Sequence, residues 1–427
     1  MTDTPLAPPS LPPGAPGLLT TADGVPLKAA LAASLRRARL RAFLLVAPLF
    51  LFVLVTFVVP IGDMLMQSVY DDSFSSVAPE LGEWFSDHPP GSDLDETAFA
   101  ALAADLARMK AEKTAGQAGT RINYDVPGTR SLFTAAARKA DTLAPPYRES
   151  VLALDAKWGD ANLWRAMRSA SDPLTLNFYL AALDFTRDEA GKVVPVPEGQ
   201  AVYKMLFLRT LVLSVVITAV CLVLAFPIAH LLATLPLAKS NLLMIFVLLP
   251  FWTSLLVRTT SWMVLLQGQG VVNDLLVWLG VLGEDGRLEM MYNRIGTVIA
   301  MTHILLPFMV LPLYSVMRTI PPAYVRAARS LGATSWTAFR RVYLPQTLPG
   351  VGAGALLVFI LAVGYYITPA LVGGADGQLI SNLIAFHMQK SLNWSLAAAL
   401  ASILLGGVLV LYWLYDRLVG IDNMKLG

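Results

Sequence analysis

The sequence predicts an all-α membrane protein with six transmembrane helices and a large, mainly helical insert between the first and second. Three observations carry this. The 427 residues are 56% hydrophobic and only 15% charged. The apolar residues collect in six runs, 43–62, 210–235, 241–257, 295–317, 347–375 and 391–415, on the scale of the roughly 20 residues that a bilayer core of about 30 Å requires. Lysine and arginine cluster beside alternate ends of these runs, as expected when basic residues resist translocation.

In chain order, residues 1–35 are rich in proline and alanine and read as a disordered cytoplasmic tail. Arg36, Arg37, Arg39 and Arg41 then hold the near end of the first helix, 36–69, in the cytoplasm. No small-residue cleavage site follows a short apolar core, so this helix reads as a retained anchor. Alternation puts Lys239, the basic loop 319–346, Arg417 and the C-terminus on the same inner side. Residues 205–420 then form a five-helix transmembrane domain. Its first new span after 210–235 is short unless it continues past Arg258 to Leu266.

The insert, 70–204, falls on the outer, periplasmic side. It holds two thirds of the chain's 30 acidic residues and under half of its 32 basic ones, so it is soluble and net negative. Asp93-Leu94-Asp95-Glu96 offers a helix cap, after which Phe99, Leu102, Leu106 and Met109 share one helical face. Helical patterns follow at 132–139, 147–158 and 163–167, and a short strand-like run at 193–196. Two readings stand for this segment: a docking surface for a soluble receptor, or a brace for the outer helix ends. It contains no cysteine, and the chain's one thiol, Cys221, sits mid-helix as a small apolar group.

The loop 319–346 is the most informative segment. Pro321 and Pro322 suit the first turn of a short helix, Gly332 suits the left-handed residue that ends it, and Ser335 is placed to cap a second helix. Ala327 and Ala328 make a low surface that another protein can approach closely, while Arg326, Arg329, Arg340 and Arg341 keep the loop in water. An ordinary basic connector would share several of these features.

Catalytic chemistry has no visible seat. There is no Gly-x-x-x-x-Gly-Lys-Ser/Thr loop for nucleotide phosphates, no nucleophile elbow, and no metal-ligand spacing among His88, His230, His303 and His387. The sequence therefore points away from an enzyme. Polar residues within the spans are the remaining candidates, since such groups are costly in lipid. Trp252, Thr253, Ser254 and Arg258 read either as pathway lining or, for Arg258, as a side chain snorkelling to the outer interface. His303 either lines a cavity or bonds across a helix contact. Tyr365 and Tyr366, near Thr368 and Pro369, mark a kink at membrane depth that serves passage or packing. Gly350, Gly352 and Gly354 read as a helix-packing stripe.

Beyond single residues, Leu208-Arg209-Thr210-Leu211, Phe226-Pro227-Ile228-Ala229, Leu249-Pro250-Phe251-Trp252-Thr253-Ser254, Arg258-Thr259, Trp262-Met263, Asn273 and Val372-Gly373-Gly374 occur in a characteristic order. The loop adds Arg326-Ala327-Ala328, Gly332 and Val342-Tyr343-Leu344-Pro345. Over about 208–417 this pattern resembles the permeases of binding-protein-dependent ABC importers, in the spermidine/putrescine branch. The resemblance implies the type I importer permease fold in a bacterial inner membrane, with Arg326, Ala327, Ala328, Gly332, Leu344 and Pro345 in an ATPase-coupling loop.

It also implies two ATPase subunits, a second permease subunit that makes a heterodimer, and a periplasmic solute-binding protein, with no nucleic-acid partner. ATP and magnesium belong to the ATPase, and this chain binds no cofactor. Two departures stand out: Arg326 replaces the family's glutamate, and the outer insert is unusually long. A polyamine is the implied solute, with another small solute of the same branch as an alternative. A secondary transporter driven by an ion gradient is the rival class, but it would show internal repeats or charged midplane helices, which this sequence lacks.

Overall fold

The computed structural model describes residues 27–188 and 191–419, and the chain divides into two units, 1–64 and 65–427. The first unit is helical: α1 (Leu27–Val53), a π-helical turn (Leu54–Val58) and α2 (Val59–Gln67), which continues into the second unit. Pro60 explains the widened turn. It has no N–H and its ring crowds the carbonyl four residues back, and the Val59 N–H bonds to Leu54 O instead. Of the stretch expected as a tail over 1–35, residues 27–35 are helical instead, since Leu31, Ala32, Leu35 and Arg36 are strong helix formers and α1 runs from Leu27. Residues 1–26 lie outside the described residues.

The second unit opens with a helical segment: α3 (Pro79–Asp87), α4 (Glu96–Glu112), α5 (Ala115–Asn123), α6 (Thr129–Arg138), α7 (Tyr147–Leu154), α8 (Ala161–Ser171) and α9 (Asn177–Ala182). A two-stranded antiparallel hairpin, β1 (Phe185–Arg187) with β2 (Val193–Pro195), pairs Thr186 with Val194. Asp95 caps α4 by accepting the Ala98 N–H at 3.0 Å, and Phe99, Leu102, Leu106 and Met109 are all buried. The core is aromatic and edge-to-face, with Phe133 and Trp158 ring centres 5.0 Å apart and Phe99 and Trp164 5.3 Å apart.

One buried acid in this core sets a pH dependence. Asp105 of α4 accepts the backbone N–H groups of Leu81, at 2.8 Å, and Glu80, at 3.2 Å. It thereby caps α3, whose own cap residue, Ala78, has no side-chain oxygen. Burial lifts its carboxyl to about 6, against the opposing pull of those two N–H donors. The folded group therefore binds a proton more readily than the unfolded one. Its ionisation cost is present above pH 6, is relieved as pH falls from 6 towards 4, and is absent below the unfolded value. We expect Asp105→Asn, which removes the titrating group but also replaces one accepting oxygen with an NH2 donor, to flatten the pH dependence of the purified chain's melting temperature between 4 and 6. An unchanged pH profile would show that Asp105 is ionised at no net cost.

The two ends of this segment meet. The Asp71 N–H donates to Pro173 O at 2.9 Å and the Thr175 N–H to Val69 O at 2.8 Å, around a bridge between Tyr70 and Leu174. Further contacts fix the segment to helix ends. The Tyr179 hydroxyl lies 2.8 Å from both Ser68 Oγ and Ser402 Oγ, and Phe178 and Ala182 pack with Ile380, Leu396 and Leu400. Asp184 is buried and accepts from Val202, Tyr203 and Lys204 N–H at 3.0, 3.0 and 2.7 Å.

Those three N–H groups open the first turn of α10 (Tyr203–Thr234). Then come α11 (Leu237–Leu248), α12 (Leu255–Leu265), α13 (Val271–Trp278), α14 (Arg294–Thr319), α15 (Pro322–Ser330), α16 (Ser335–Ala338), α17 (Leu344–Gly364), α18 (Ile367–Val372), α19 (Gly374–Gly377), α20 (Ile380–Gln389) and α21 (Trp394–Val419). Among the described residues, five continuous stretches are long and apolar enough to cross a membrane: Ser34–Gln67, Tyr203–Thr234, Arg294–Thr319, Ser335–Gly364 and Trp394–Arg417. The sixth is a pair, Leu237–Trp252 and Leu255–Leu265, bent by 97°.

Two of the expected runs are thus broken, the second where a kink was expected. In 241–257, Pro250 opens a tight 3₁₀ turn and Thr253 and Ser254 are extended, so the chain swings sideways before α12. In 347–375, α17 stops at Gly364 and Tyr365 is extended. The bundle centre packs α10, α14 and α17 through Ile217, Cys221, Met301, Met309, Val358 and Ala362. Gly350 and Gly354 lie against Leu313 and Met309 of α14, while Gly352 lies against the Tyr415 hydroxyl, so this stripe packs helices.

Candidate functional site

Loop 319–346 folds as two short helices around a left-handed turn. Pro321 precedes α15 and Pro322 occupies its first turn, where a missing donor costs nothing. Gly332 has φ +91°, a value that a side chain resists, and the Ala333 N–H closes the turn on Ala328 O at 3.1 Å. The second cap is Thr334 rather than Ser335: its Oγ1 accepts the Thr337 N–H at 3.2 Å. One residue earlier is the correct position because Ser335 is already helical. Pro345 stands in the first turn of α17 and forces a π-helical turn over Phe339–Tyr343, with the Leu344 N–H reaching back to Phe339 O.

The outer surface of this loop is apolar as well as basic. Leu331 is 88% exposed, Trp336 68% and Tyr324 53%, beside exposed Arg326, Ala327, Arg329, Arg340 and Arg341. The loop's base is fastened to the end of α10 on both flanks. Arg318 donates to Ala233 O at 2.8 Å and Leu235 O at 3.3 Å, satisfying carbonyls that the helix end leaves open. Trp336, Phe339 and Tyr343 stack in sequence. Phe339 meets the Phe226 edge, and the Tyr343 hydroxyl is 3.0 Å from His230 Nδ1.

Sequence reasoning missed this fastening. The Trp336, Phe339, Tyr343 spacing is a helical stripe that was legible, but His230 lies 113 residues from Tyr343 and nothing local announces the pair.

The second cluster forms where α12, α14 and the α17–α18 break converge. Trp262 Nε1 donates to His303 Nδ1 at 3.0 Å, and the buried hydroxyls of Thr259 and Thr368 are 3.1 Å apart. The Arg258 Nε is buried without a hydrogen-bond acceptor among the described residues. His303 is thus paired with Trp262, while Arg258 and Tyr365 are half-buried, on α12 and at the α17–α18 break respectively. Trp252, Thr253, Ser254 and Tyr366 are exposed instead. The Ser254 hydroxyl caps α12 by accepting the Val257 N–H at 3.4 Å, and Thr253 Oγ1 donates to Pro250 O at 3.0 Å.

A helix that stops inside the membrane leaves carbonyls open, and they need protein partners. Ser381 Oγ donates to Tyr365 O and Asn382 Nδ2 to Tyr366 O, each at 2.6 Å. These two α20 residues also went unforeseen. The glycines of α18–α19 permit the close approach of this turn to α14: a Cβ on Gly377 would fall 2.4 Å from Thr297 Oγ1.

With this geometry in place, comparison with known proteins is specific. Residues 199–420 match the family "Binding-protein-dependent transport system inner membrane component". The spermidine/putrescine transport system permease protein PotB of Salmonella typhimurium is 36% identical over 244 residues, covering 55% of this chain and 84% of that protein. PotB of Escherichia coli K12 is 37% identical over 220 residues, covering 51% and 79%. A solved bacterial ABC transporter for import of the acidic polysaccharide alginate aligns at 18% identity and a TM-score of 0.45, covering 69% of this chain and 99% of that one. The chain belongs to the binding-protein-dependent transport system inner membrane components, the permeases of ABC importers.

Proposed function

We propose that this chain is one permease subunit of an ATP-driven importer and carries a small solute, a polyamine such as spermidine or putrescine, through the inner membrane. A second permease completes the pathway, two ATPase subunits dock on loop 319–346 and its counterpart, and a periplasmic binding protein delivers the solute. Both termini lie in the cytoplasm and the segment 70–204 lies outside. The observation that carries this reading is the loop itself: exposed Leu331, Trp336 and Tyr324 among arginines, on a base wired to α10 through Arg318 and Tyr343. The polyamine follows from the names of the PotB relatives.

In this mechanism, ATP binding closes the ATPase dimer, and α15 and α16 ride with it. The stacked aromatic base passes that motion to α10 and α17, and the membrane helices open outward. Arg326, in place of the family's glutamate, meets an ATPase surface of complementary charge. Arg258, Trp262, His303 and Tyr365 form the constriction, and a cation there disfavours retention of a polycationic solute in transit.

The test is to purify the complex with its genomic neighbours into nanodiscs and measure ATPase stimulation by the binding protein loaded with each of several polyamines. A lone chain whose transport follows an ion gradient would overturn the reading. Within the constriction, His303→Leu leaves the Trp262 N–H without its acceptor, a loss of about 1–3 kcal/mol. Uptake per assembled complex is expected to fall roughly ten-fold. Uptake at the wild-type level would remove His303 from the pathway.

A further inference from the structure

We propose that α13 is an interfacial anchor, its outward face lying among the headgroups and upper acyl chains of the leaflet opposite loop 319–346. Val271, Leu275, Trp278 and Leu279 fall within one arc of about 100° on this helix. All four are exposed, Trp278 by 80%, and Val281 just beyond is exposed too. The opposite face is fixed. Asn273 is fully buried, donates to Gln267 O at 3.1 Å and Leu288 O at 3.0 Å, and accepts the Leu288 N–H at 2.9 Å. With Asn273 held in this way, the apolar arc points outward whatever happens elsewhere in the chain.

Continuity with the membrane-facing surface identifies the occupant. α13 begins six residues after the end of α12, whose last turn exposes Val264 and whose first turn exposes Leu256 and Val257, and the chain enters α14 through exposed Ile295. The arc thus extends the apolar band of two membrane helices at the level where they leave the bilayer. Its charged rim fits the same place. Asp274, the carboxylate on the helix itself, is paired with Arg287 at 2.7 Å, and Arg287 also holds Glu284 at 2.9 Å, so the charge nearest the arc is offset by a cation. A narrow apolar stripe with a tryptophan and a paired polar rim is the pattern of helices that lie in the membrane plane.

The test uses the assembled importer in phospholipid nanodiscs. Single-cysteine variants Trp278→Cys, Leu275→Cys and Val281→Cys, each in a Cys221→Ala background, carry a nitroxide, with Asp285→Cys as the water-facing control. Collision rates with oxygen and with a water-soluble nickel chelate report depth. Oxygen accessibility is expected to exceed nickel accessibility by roughly three-fold or more at 275 and 278, with the order reversed at 285. Nickel exceeding oxygen at 275 and 278 would place the arc in water, as a docking face for a soluble partner. Exclusion of both reagents would place it under the second permease. Either outcome overturns the anchor. Because three positions report independently, failure of one variant to assemble leaves the others decisive.

Discussion

A Gly332→Val importer is expected to reach the membrane, retain its permease fold and lose most solute uptake. The argument is conformational. Gly332 has φ +91°, and a Cβ there would meet no atom within 4 Å, so valine fits the space but not the backbone. A β-branched residue in that region costs on the order of 1–3 kcal/mol. The local remedy is to rotate the turn out of the left-handed region, which would break the closure of Ala333 N–H on Ala328 O and swing α15 relative to α16. The surface of Leu331, Trp336 and the arginines would then no longer match an ATPase built for the native angle. Uptake should fall at least roughly ten-fold, with ATP hydrolysis no longer following solute. Gly332→Asn, which tolerates the left-handed region better, should sit between the two. Normal coupled transport by the valine variant would show that the turn's geometry is not transmitted.

Asp184→Ala is expected to have the largest effect on stability. One carboxylate accepts three N–H groups at the start of α10, from Val202, Tyr203 and Lys204. Alanine leaves these donors without their acceptor. The residue also has φ +54°, which aspartate and asparagine adopt more readily than alanine. Lost capping and backbone strain together amount to about 2–4 kcal/mol. The expected result is a marked fall in the amount of folded protein recovered from membranes and a lower melting temperature. Asp184→Asn should recover part of the loss. If alanine and asparagine behaved alike, the cap would contribute little and the loss would lie in packing.

What could be read from the sequence follows from which forces are local. The positions of the spans were legible because the hydrocarbon thickness imposes a length on every crossing helix. The α4 helix was legible because Asp95 and the Phe99, Leu102, Leu106, Met109 face lie within fifteen residues. The left-handed turn was legible because only glycine occupies it cheaply. The two broken spans were harder. Pro250 signals a break but not a 97° bend, and the stop at Gly364 depends on Ser381 and Asn382, which take up the freed carbonyls from another helix. Thr334 was displaced from notice by its equally suitable neighbour Ser335. Among the candidate residues, His303 meets Trp262 of a separate helix 41 residues away, so the pairing belongs to tertiary structure and has no signature in any one segment.

The joining of Val69–Asp71 to Pro173–Thr175 gives the long segment between them an unusual freedom. Because entry and exit points touch, the hundred or so residues in between form a detour from a nearly unbroken route, and their number is immaterial to the helices on either side. A lineage could lengthen, shorten or exchange that detour without shifting the register of a single span, provided the hydrogen-bonded splice was kept. The five-helix domain would keep its geometry throughout, and natural variation could act on the detour alone.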